Sequence, residues 1–449
     1  MPCVTRRGFI RAGAATVGTL ALRPFGLLPA MAQSSANYRA LVCVFLFGGN
    51  DSNNTVIPMD DASFQAYTSI RGSLALSASQ LTPTVYSVSN APFAFHGKLA
   101  EVASMFSSKE LAVVANAGSL VQPLTRSQYQ GSQAPIPLNL FSHSDQQLQW
   151  QTSIAQGNSP TGWAGRVADY LNSQKINSSN FPAFLSVAGN SLEGQGVATQ
   201  PVAIAPGQSL TVRGFNGSAT SQARLSASTN LLTTDNGLSL VQAANNTMKN
   251  SIADAAALEA ALAKTAPLKT QFPTTSLGSQ LQQVAEIIQV QSYLGMSRQI
   301  FFCSLGGFDT HAGELETHNN LYPQLSQALA AFYAATEELG VAENVTAFTE
   351  SDFSRTFQPT TTDGSDHAWG SHHLVLGGAV KGGQIYGQFP TFELAGPNDT
   401  DTRGRWIPTT SVDQYGATLC AWFGIPASAL ATVFPNLAHF GSQNLGFFG

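Results

Sequence analysis

The chain has 449 residues, only 10% of which are charged, and its formal net charge is −5. A net negative charge, without any run of lysine or arginine, argues against nucleic acid or an anionic membrane as partner, because both bind clustered cations. In a chain with so few charged residues, any grouping of Asp, Glu and His is informative.

The first 32 residues have the features of a twin-arginine signal peptide. Residues 5–11 read TRRGFIR, and a short apolar run and the small-residue sequence AMA (residues 30–32) follow. This arrangement predicts cleavage before Gln33. The apolar run is far shorter than the ~20 residues of a membrane-spanning helix, so no stable membrane span is expected. We therefore expect the twin-arginine translocase as an export partner and a periplasmic or secreted mature protein.

Cleavage would change the charge of the chain and leave three cysteines. The leader contains four arginines and no acid, so residues 33–449 carry a net charge of −9. The remaining cysteines are Cys43, Cys303 and Cys420. An odd number gives no disulfide framework, and the apolar surroundings of Cys43 and Cys303 favour buried thiols.

Apolar, β-favouring runs alternate with helical patterns along the mature chain. The runs occupy residues 40–47, 111–114, 183–187, 299–305, 345–348 and 374–376. The helical patterns occupy residues 92–106, 277–294, 320–339 and 412–423. This alternation indicates one α/β domain, residues 33–449, with a mostly parallel sheet buried on both faces. The polar segment 189–275, with a helix near 238–262, is interpreted as a cap or insertion on that domain.

Acidic and histidine residues follow the ends of the predicted strands. Asp51 comes just after the first strand, and Asp309 and His311 follow the strand at 299–305. Glu350 and Asp352 follow the strand at 345–348. In open α/β sheets, ligands bind beyond the carboxyl ends of the strands, so these side chains are candidate metal ligands. Each aspartate alone could instead be a helix cap or turn residue.

The loop before the last of these strands adds further candidates. It contains Asp366 and His367, then the adjacent pair His372 and His373. Adjacent residues of an extended chain point to opposite faces, so one of the pair is expected at the site, with His372 as the candidate and His373 as the alternative. Oxygen and nitrogen ligands of this kind suit a divalent metal, with Zn preferred and Mn, Mg or Ca as alternatives.

Residues 141–146, FSHSDQ, are the candidate source of a nucleophile. Ser142 or Ser144 would lie at a helix N-terminus, where the helix dipole favours an alkoxide and an anionic ester. The same serine could equally be only a helix cap. The sequence lacks a G-x-S-x-G elbow, a P-loop and a G-x-G-x-x-G fingerprint, which argues against a standard α/β hydrolase, NTPase or dinucleotide enzyme.

Five segments together resemble a known bacterial family, the domain of unknown function 1501 family. They are LFGGNDSNNTVIP, SHSDQQ, GGFDTH, FTESDFSRTF and DHAWGSHHLVLGGAVKGG. The resemblance covers about residues 39–436. That family is grouped with the alkaline phosphatase/sulfatase superfamily, which implies an alkaline-phosphatase-like, three-layer α/β/α sandwich around a mainly parallel sheet.

The resemblance also implies roles for individual residues. The chain order of ligands in the superfamily corresponds here to Asp51, Asp309, His311, Glu350, Asp366 and His367, with Ser142 as nucleophile. The family usually reads Glu-Phe-Gly-Arg-Thr, whereas two extra residues stand between Glu350 and Arg355 here. Glu350 and Asp352 therefore remain alternatives as the acidic ligand. The Asp309-x-His311 spacing is also shorter than in the superfamily.

These observations predict an exported, metal-dependent hydrolase of phosphate or sulfate esters, acting on a small-molecule or polymer substrate. The metal would activate Ser142 or a water molecule as nucleophile. Arg355 would bind a non-bridging ester oxygen, or serve as a structural ion-pair partner. The alternative is a non-catalytic secreted binding or assembly protein that retains the fold, which the lack of a convincing nucleophile favours.

Overall fold

The computed structural model describes residues 37–208, 215, 218–234 and 237–449. The predicted signal peptide and its cleavage site lie outside this part of the chain. Among the helices that are described, none combines the length and the apolar character needed to cross a membrane.

Twelve strands have described bounds. They are β1 (Arg39–Phe47), β2 (Val56–Pro58), β3 (Val85–Tyr86), β4 (Pro92–Phe95), β5 (Leu111–Gly118), β6 (Phe184–Ser186), β7 (Val202–Ala203), β8 (Arg298–Gly306), β9 (Val345–Ser351), β10 (Ser371–Leu376), β11 (Ile385–Gly387) and β12 (Thr410–Ser411). Nine of them form one sheet in the order β11-β5-β10-β9-β1-β8-β6-β7, with β12 beside β5. Only β10 runs antiparallel to its neighbours. The predicted mainly parallel sheet is confirmed, and β2, β4 and β3 form a small antiparallel sheet.

Eleven α-helices have described bounds. They are α1 (Asp61–Arg71), α2 (Ala100–Ser107), α3 (Arg126–Gln130), α4 (His143–Thr152), α5 (Trp163–Ser173), α6 (Ala219–Leu231), α7 (Ser239–Leu262), α8 (Ser276–Gln289), α9 (Glu314–Glu338), α10 (Val412–Phe423) and α11 (Ala427–Val433). The helix predicted over 92–106 begins only at Ala100, because its first four residues pair with β2 as the strand β4. The helix predicted near 238–262 is confirmed by α7.

Helices cover both faces of the central sheet. Along β1, Val42 and Val44 pack into an apolar layer shared with α2, α8 and α9. Leu41 and Cys43 point the other way, into a layer shared with α4, α5, α10 and α11. Burial on both faces explains the continuous apolar runs, since each buried Val or Leu contributes roughly 1.5–3 kcal/mol. The chain thus has the predicted three-layer α/β/α architecture.

The polar segment 189–275 contributes to one edge of this sandwich. Its strand β7 pairs in parallel with β6 and forms the last strand on that side of the sheet. Both α6 and α7 belong to this segment, and α7 buries Leu258 and Ala261 near its C-terminus. Most other side chains of α6 and α7 are exposed or half-buried.

The loops that carry the candidate site residues leave the same edge of the sheet. Strands β1, β8 and β9 are parallel neighbours, so their carboxyl ends share an edge, and antiparallel β10 begins at that edge. The turn after β1 uses Gly48, with φ 110°. A Cβ on Gly48 would lie 2.5 Å from the backbone nitrogen of Asp309, so the loops after β1 and β8 can pack together only with glycine there.

We expect Gly48→Ala to destabilise the protein more than Gly157→Ala. Both glycines have positive φ, which costs an L-residue roughly 1–2 kcal/mol, but a Cβ on Gly157 meets nothing within 4 Å. The clash at Gly48 should add roughly 1–3 kcal/mol. Urea unfolding of the two variants measures this difference, and equal free energies of unfolding would contradict the packing argument.

Candidate functional site

Four side chains converge where the loops leave the sheet, and we call His143, Asp309, His311 and His367 the edge cluster. Oδ1 of Asp309 lies 3.4 Å from Nε2 of His143, 3.0 Å from Nε2 of His311 and 3.4 Å from Nε2 of His367. Nε2 of His367 also lies 3.1 Å from Nε2 of His143 and 3.0 Å from Nε2 of His311. One carboxylate oxygen and three imidazole nitrogens therefore meet in a small space.

The edge cluster is assembled from three separate parts of the chain. His143 is the first residue of α4, Asp309 and His311 lie in the loop after β8, and His367 lies in the loop before β10. The side chains of Asp309 and His311 are 48% exposed, whereas those of His143 and His367 are about half as exposed. The edge cluster is therefore open to solvent on the side of the β8 loop.

Each histidine of the edge cluster is held through its other ring nitrogen. Nδ1 lies 2.6 Å from Oδ2 of Asp352 in His143, and 2.7 Å from the carbonyl oxygen of Phe141 in His367. Nδ1 of His311 lies 3.3 Å from Oδ1 of Asp366. With the proton of each neutral ring on Nδ1, donated to these oxygens, Nε2 presents a lone pair. This arrangement is typical of metal-binding histidines.

The spacing of the edge cluster fits a divalent transition metal. Ligand atoms bonded at about 2.1 Å, with angles of roughly 90–109° between bonds, lie about 3.0–3.4 Å apart. The five separations given above fall between 3.0 and 3.4 Å. Within the edge cluster, His143, Asp309 and His367 form the set whose ligand atoms all lie within 4.8 Å of one another, and His311 lies beside Asp309 and His367. Acceptor atoms at these distances repel one another unless a cation or protons lie between them. The donor set of this group, two imidazoles and one carboxylate, is one that Zn accepts.

The surroundings adjust the charge of these side chains. The hydrogen bond to Asp352 raises the pKa of His143, whereas burial lowers the pKa of His367. Partial burial acts to raise the pKa of Asp309, but the hydrogen bond and the charge of Arg355 outweigh it and hold that pKa below its ordinary value. Asp309 is therefore an ionised acceptor at neutral pH.

Arg355 is fully buried and acts on the edge cluster through Asp309. Its Nη1 donates to Oδ1 of Asp309 at 2.9 Å, its Nε donates to Oγ of Ser365 at 3.2 Å, and its Nη2 donates to the carbonyl oxygen of Ser365. With these contacts made, the guanidinium positions Asp309. Of the two roles considered from the sequence, the structure displays the ion-pair contact.

Two other arginines stand at the rim of the edge cluster. Nη1 of Arg403 lies 2.7 Å from Oδ2 of Asp366, and both side chains are about one-third exposed. Nε of Arg405 donates to the carbonyl oxygen of His367 at 2.8 Å, and its guanidinium stacks 4.8 Å above the ring of Phe141. Each guanidinium is also paired with a carboxylate, Arg403 with Asp366 and Arg405 with Asp401, so the rim carries two partly exposed ion pairs.

Ser142 is adjacent to the edge cluster in sequence and begins α4 as its N-cap, without a side-chain capping bond. Its hydroxyl donates to Oδ2 of Asp145 at 2.6 Å and lies 3.1 Å from Oγ of Ser144. On either side of Ser142, Phe141 and His143 contact His367. The structure therefore places the serine segment beside the edge cluster, with its hydroxyl bonded to a carboxylate.

Asp51 lies apart from the edge cluster, in a buried group with Glu314 and His318. This residue is fully buried and forms an ion pair with Arg71, which also contacts Oε1 of Glu314 at 3.2 Å. Burial raises the pKa of Asp51 to about 6, although the charge of Arg71 opposes the shift. The cation beside Asp51 is thus a guanidinium supplied by α1, and Asp51 makes no contact with the edge cluster.

Glu350 and His372 also lie away from the edge cluster. Glu350 is part of β9 and points into the α5–α10 layer, near Cys43. His372 lies inside β10, where its Nδ1 accepts from the backbone N–H of Asn116 at 2.9 Å. Both residues are within strands, so their side chains point to a face of the sheet and not to its edge. The neighbouring His373 also lies within β10, and its ring packs against that of Trp150.

No role was predicted from the sequence for His143, which contacts both Asp309 and His367 in the edge cluster. Its signal was its position in the FSHSDQ segment, directly after the candidate nucleophile Ser142. Asp352, one of the two alternatives for the acidic ligand, accepts from Nδ1 of His143 and from Nε2 of Gln147 at 2.8 Å. Asp352 therefore supports a ligand of the edge cluster and does not itself belong to it.

The fold and this site define a class of proteins, α/β sandwiches with a histidine-rich cluster at the carboxyl ends of parallel strands. Residues 38–404 match the family described as "Protein of unknown function (DUF1501)". The chain belongs to this family, as the sequence motifs had indicated. No curated protein matches the sequence.

Several solved structures are similar to this chain at low identity. The lipoteichoic acid synthase LtaP from Listeria monocytogenes has 7% identity and a TM-score of 0.34, covering 92% of this chain and 75% of that one. The phosphonate monoester hydrolase of Agrobacterium radiobacter has 8% identity and a TM-score of 0.31, covering 87% and 74%. A 2-O GAG sulfatase has 9% identity and a TM-score of 0.29, covering 89% and 74%.

We expect Arg71→Met to destabilise the protein by roughly 3–5 kcal/mol, because it leaves two buried carboxylates without their cation. Those carboxylates belong to Asp51 and Glu314. The control, Arg403→Met, breaks a pair that is about one-third exposed and should cost at most about 1 kcal/mol. Chemical denaturation provides both values. Similar losses in the two variants would show that Arg71 does not neutralise Asp51 and Glu314.

Proposed function

We propose that this protein is an exported, metal-dependent hydrolase of phosphate or sulfate esters, and that the edge cluster holds its divalent metal, with Zn preferred. The observation that carries the proposal is the convergence of the Asp309 carboxylate with Nε2 of His143 and Nε2 of His367, with His311 3.0 Å from both Asp309 and His367. A bound divalent ion would polarise an ester oxygen and lower the pKa of a hydroxyl or water.

Arginines beside the edge cluster favour an anionic substrate. Phosphate and sulfate esters are anions, and the guanidinium groups of Arg403 and Arg405 stand at the rim of the edge cluster. Both are partly exposed, so each can donate a hydrogen bond to a non-bridging oxygen while keeping one of its present contacts. Arg355, being buried, keeps Asp309 in place for the metal.

The proposal includes two candidate nucleophiles, the hydroxyl of Ser142 and a water molecule. The hydroxyl of Ser142 donates a 2.6 Å hydrogen bond to the carboxylate of Asp145, and that bond lowers the pKa of Asp145. A carboxylate with a lowered pKa is a weak base at neutral pH. Ser142 would therefore need the electrostatic effect of the metal to lose its proton, whereas a water molecule would need no rearrangement of the serine segment.

Metal content tests the first half of the proposal. We expect purified protein to bind a divalent ion that chelators remove, and His367→Ala to lose it because one ligand and the link between His143 and His311 disappear. His439→Ala is the matched control, since His439 contacts the carbonyl of Val121 and not the edge cluster. Elemental analysis of folded proteins measures the result. Unchanged metal in His367→Ala would remove the basis of the proposal.

Ester hydrolysis tests the second half. Phosphate and sulfate mono- and diesters are offered to metal-loaded protein and to His367→Ala, and we expect turnover only by the former. Activity that is lost in Ser142→Ala identifies the serine as nucleophile, and activity that survives identifies water. Metal binding without turnover of any ester would favour the alternative, a secreted protein that binds its ligand through the metal.

Export is part of the proposal and has its own test. The paired arginines Arg6 and Arg7 are the feature that the translocase recognises, so replacing both with lysine should retain the protein in the cytoplasm. Arg23→Lys, outside the pair, is the control and should be exported normally. Cell fractionation followed by immunodetection measures both. Export of the double variant at the normal level would contradict the assignment of residues 1–32.

A further inference from the structure

A second group of ionisable side chains lies in the apolar layer between the sheet and the helices α4, α5, α10 and α11. We call Cys43, Glu193 and Glu350 the inner cluster. Cys43 belongs to β1, Glu350 to β9, and Glu193 to the loop between β6 and β7. One ligand atom from each lies within 4.8 Å of the other two. Cys43 and Glu193 have no exposed surface, and Glu350 is 2% exposed. The inner cluster is therefore sealed from solvent, unlike the edge cluster.

Three of the four carboxylate oxygens of the inner cluster have no hydrogen-bond partner. Both carboxylate oxygens of Glu193, and Oε2 of Glu350, are buried without a donor. Among the described residues, no Lys, Arg or His forms an ion pair with either acid. An unpaired buried carboxylate costs several kcal/mol. Protons or a cation must therefore compensate these oxygens.

The backbone holds Glu193 in this position through specific contacts. Oε1 of Gln151 accepts from the backbone N–H groups of Leu192 and Glu193 and from the hydroxyl of Ser191. One side-chain amide therefore holds three consecutive residues of the loop. A Cβ on Gly162 would lie 2.1 Å from the carbonyl oxygen of Glu193, so glycine is needed where α5 begins. The loop is thus built to place an acid in an apolar layer.

Protons could neutralise the acids, because burial raises the pKa of Glu193 to about 8 and raises that of Glu350 well above its ordinary value. A shared proton, however, would involve only the two carboxyl groups. The Cys43 thiol interacts with both carboxyl groups, but it has one proton to donate and three carboxylate oxygens are without a partner. A cation uses all three groups.

We propose that the inner cluster is a second metal site, in which the thiolate of Cys43 and the carboxylates of Glu193 and Glu350 hold a zinc ion. Thiolate and carboxylate are both accepted ligands of Zn, and a coordinating thiol loses its proton. Binding releases the protons of the thiol and of any protonated carboxyl group. The site lies between a strand pair and a loop that close over it only in the folded chain, so the ion enters during folding and leaves on unfolding.

The experiment separates two pools of metal in protein produced with zinc in the growth medium. Folded wild type is treated with a chelator, desalted and subjected to elemental analysis, then unfolded in denaturant and measured again. We expect the half-exposed edge cluster to lose its ion to the chelator, and a zinc ion to remain until unfolding. Absence of retained zinc in the treated, folded wild type overturns the proposal, whatever the edge cluster binds.

Variants assign the retained ion to its ligands. Glu193→Gln keeps the side-chain volume, and Cys43→Ala removes the thiol, and each should lose the retained zinc. Cys303→Ala is the matched control, because Cys303 is an equally buried thiol that packs into the opposite apolar layer, and it should keep the ion. Retention of zinc by folded Glu193→Gln or by folded Cys43→Ala contradicts the assignment.

A spectroscopic measurement on the wild type tests the same assignment if the variants do not fold. Wild type produced with cobalt in place of zinc should show thiolate-to-Co²⁺ charge-transfer absorption that survives chelation, since Cys43 is the only thiol placed in the inner cluster among the described residues. Retained cobalt without this absorption would exclude Cys43 as a ligand. Failure of ester hydrolysis would leave this result unaffected, so the two proposals fail independently.

Discussion

The parallel pairing of β1 with β8 on one side and β9 on the other determines where the candidate groups on these strands and in the loops after them lie. Residues 39–47 pair along their whole length with residues 298–306, and residues 40–46 pair with residues 345–351. Because the side-chain period of a strand is two, a shift of one residue in β9 would exchange the side chains on the two faces. The register of β1, β8 and β9 therefore determines which of their residues lie at the edge and which point into the helix layers.

Charge inside this sandwich is compensated in two different ways. Near α1, the guanidinium of Arg71 pairs with two buried acids, Asp51 and Glu314, so the fold supplies its own cation. At the inner cluster, acceptor groups converge without an arginine among the described residues. At the edge cluster, Arg355 donates to Oδ1 of Asp309, the same oxygen that faces the histidines, whereas the imidazole nitrogens have no arginine partner among the described contacts. Acceptors that converge without a protein cation are what distinguish a metal site from a structural ion pair.

The sequence predicted the layers, the sheet edge and three of the four members of the edge cluster, but not His143. Asp309, His311 and His367 follow or precede strands, so their common edge could be predicted from the alternation of strands and helices. His143 reaches the edge from the start of α4, and no periodic pattern relates that helix to β8. Asp51 satisfies the same strand-end rule, yet Arg71, twenty residues away in a polar helix, already neutralises it. Which partner a buried acid finds depends on packing across the sheet, which local spacing does not encode.

Glu350 and Asp352 show how one strand end can serve two clusters. They are two residues apart, Glu350 within β9 and Asp352 just beyond it. Glu350 ends in the sealed layer with Cys43, and Asp352 holds Nδ1 of His143 at the open edge. Any movement of β9 along its axis would displace both carboxylates together.

Neither cluster exists before β1, β8 and β9 have paired, since their residues come from distant parts of the chain. The proposed twin-arginine export transports an already folded protein, and it would therefore allow both clusters to be assembled before export.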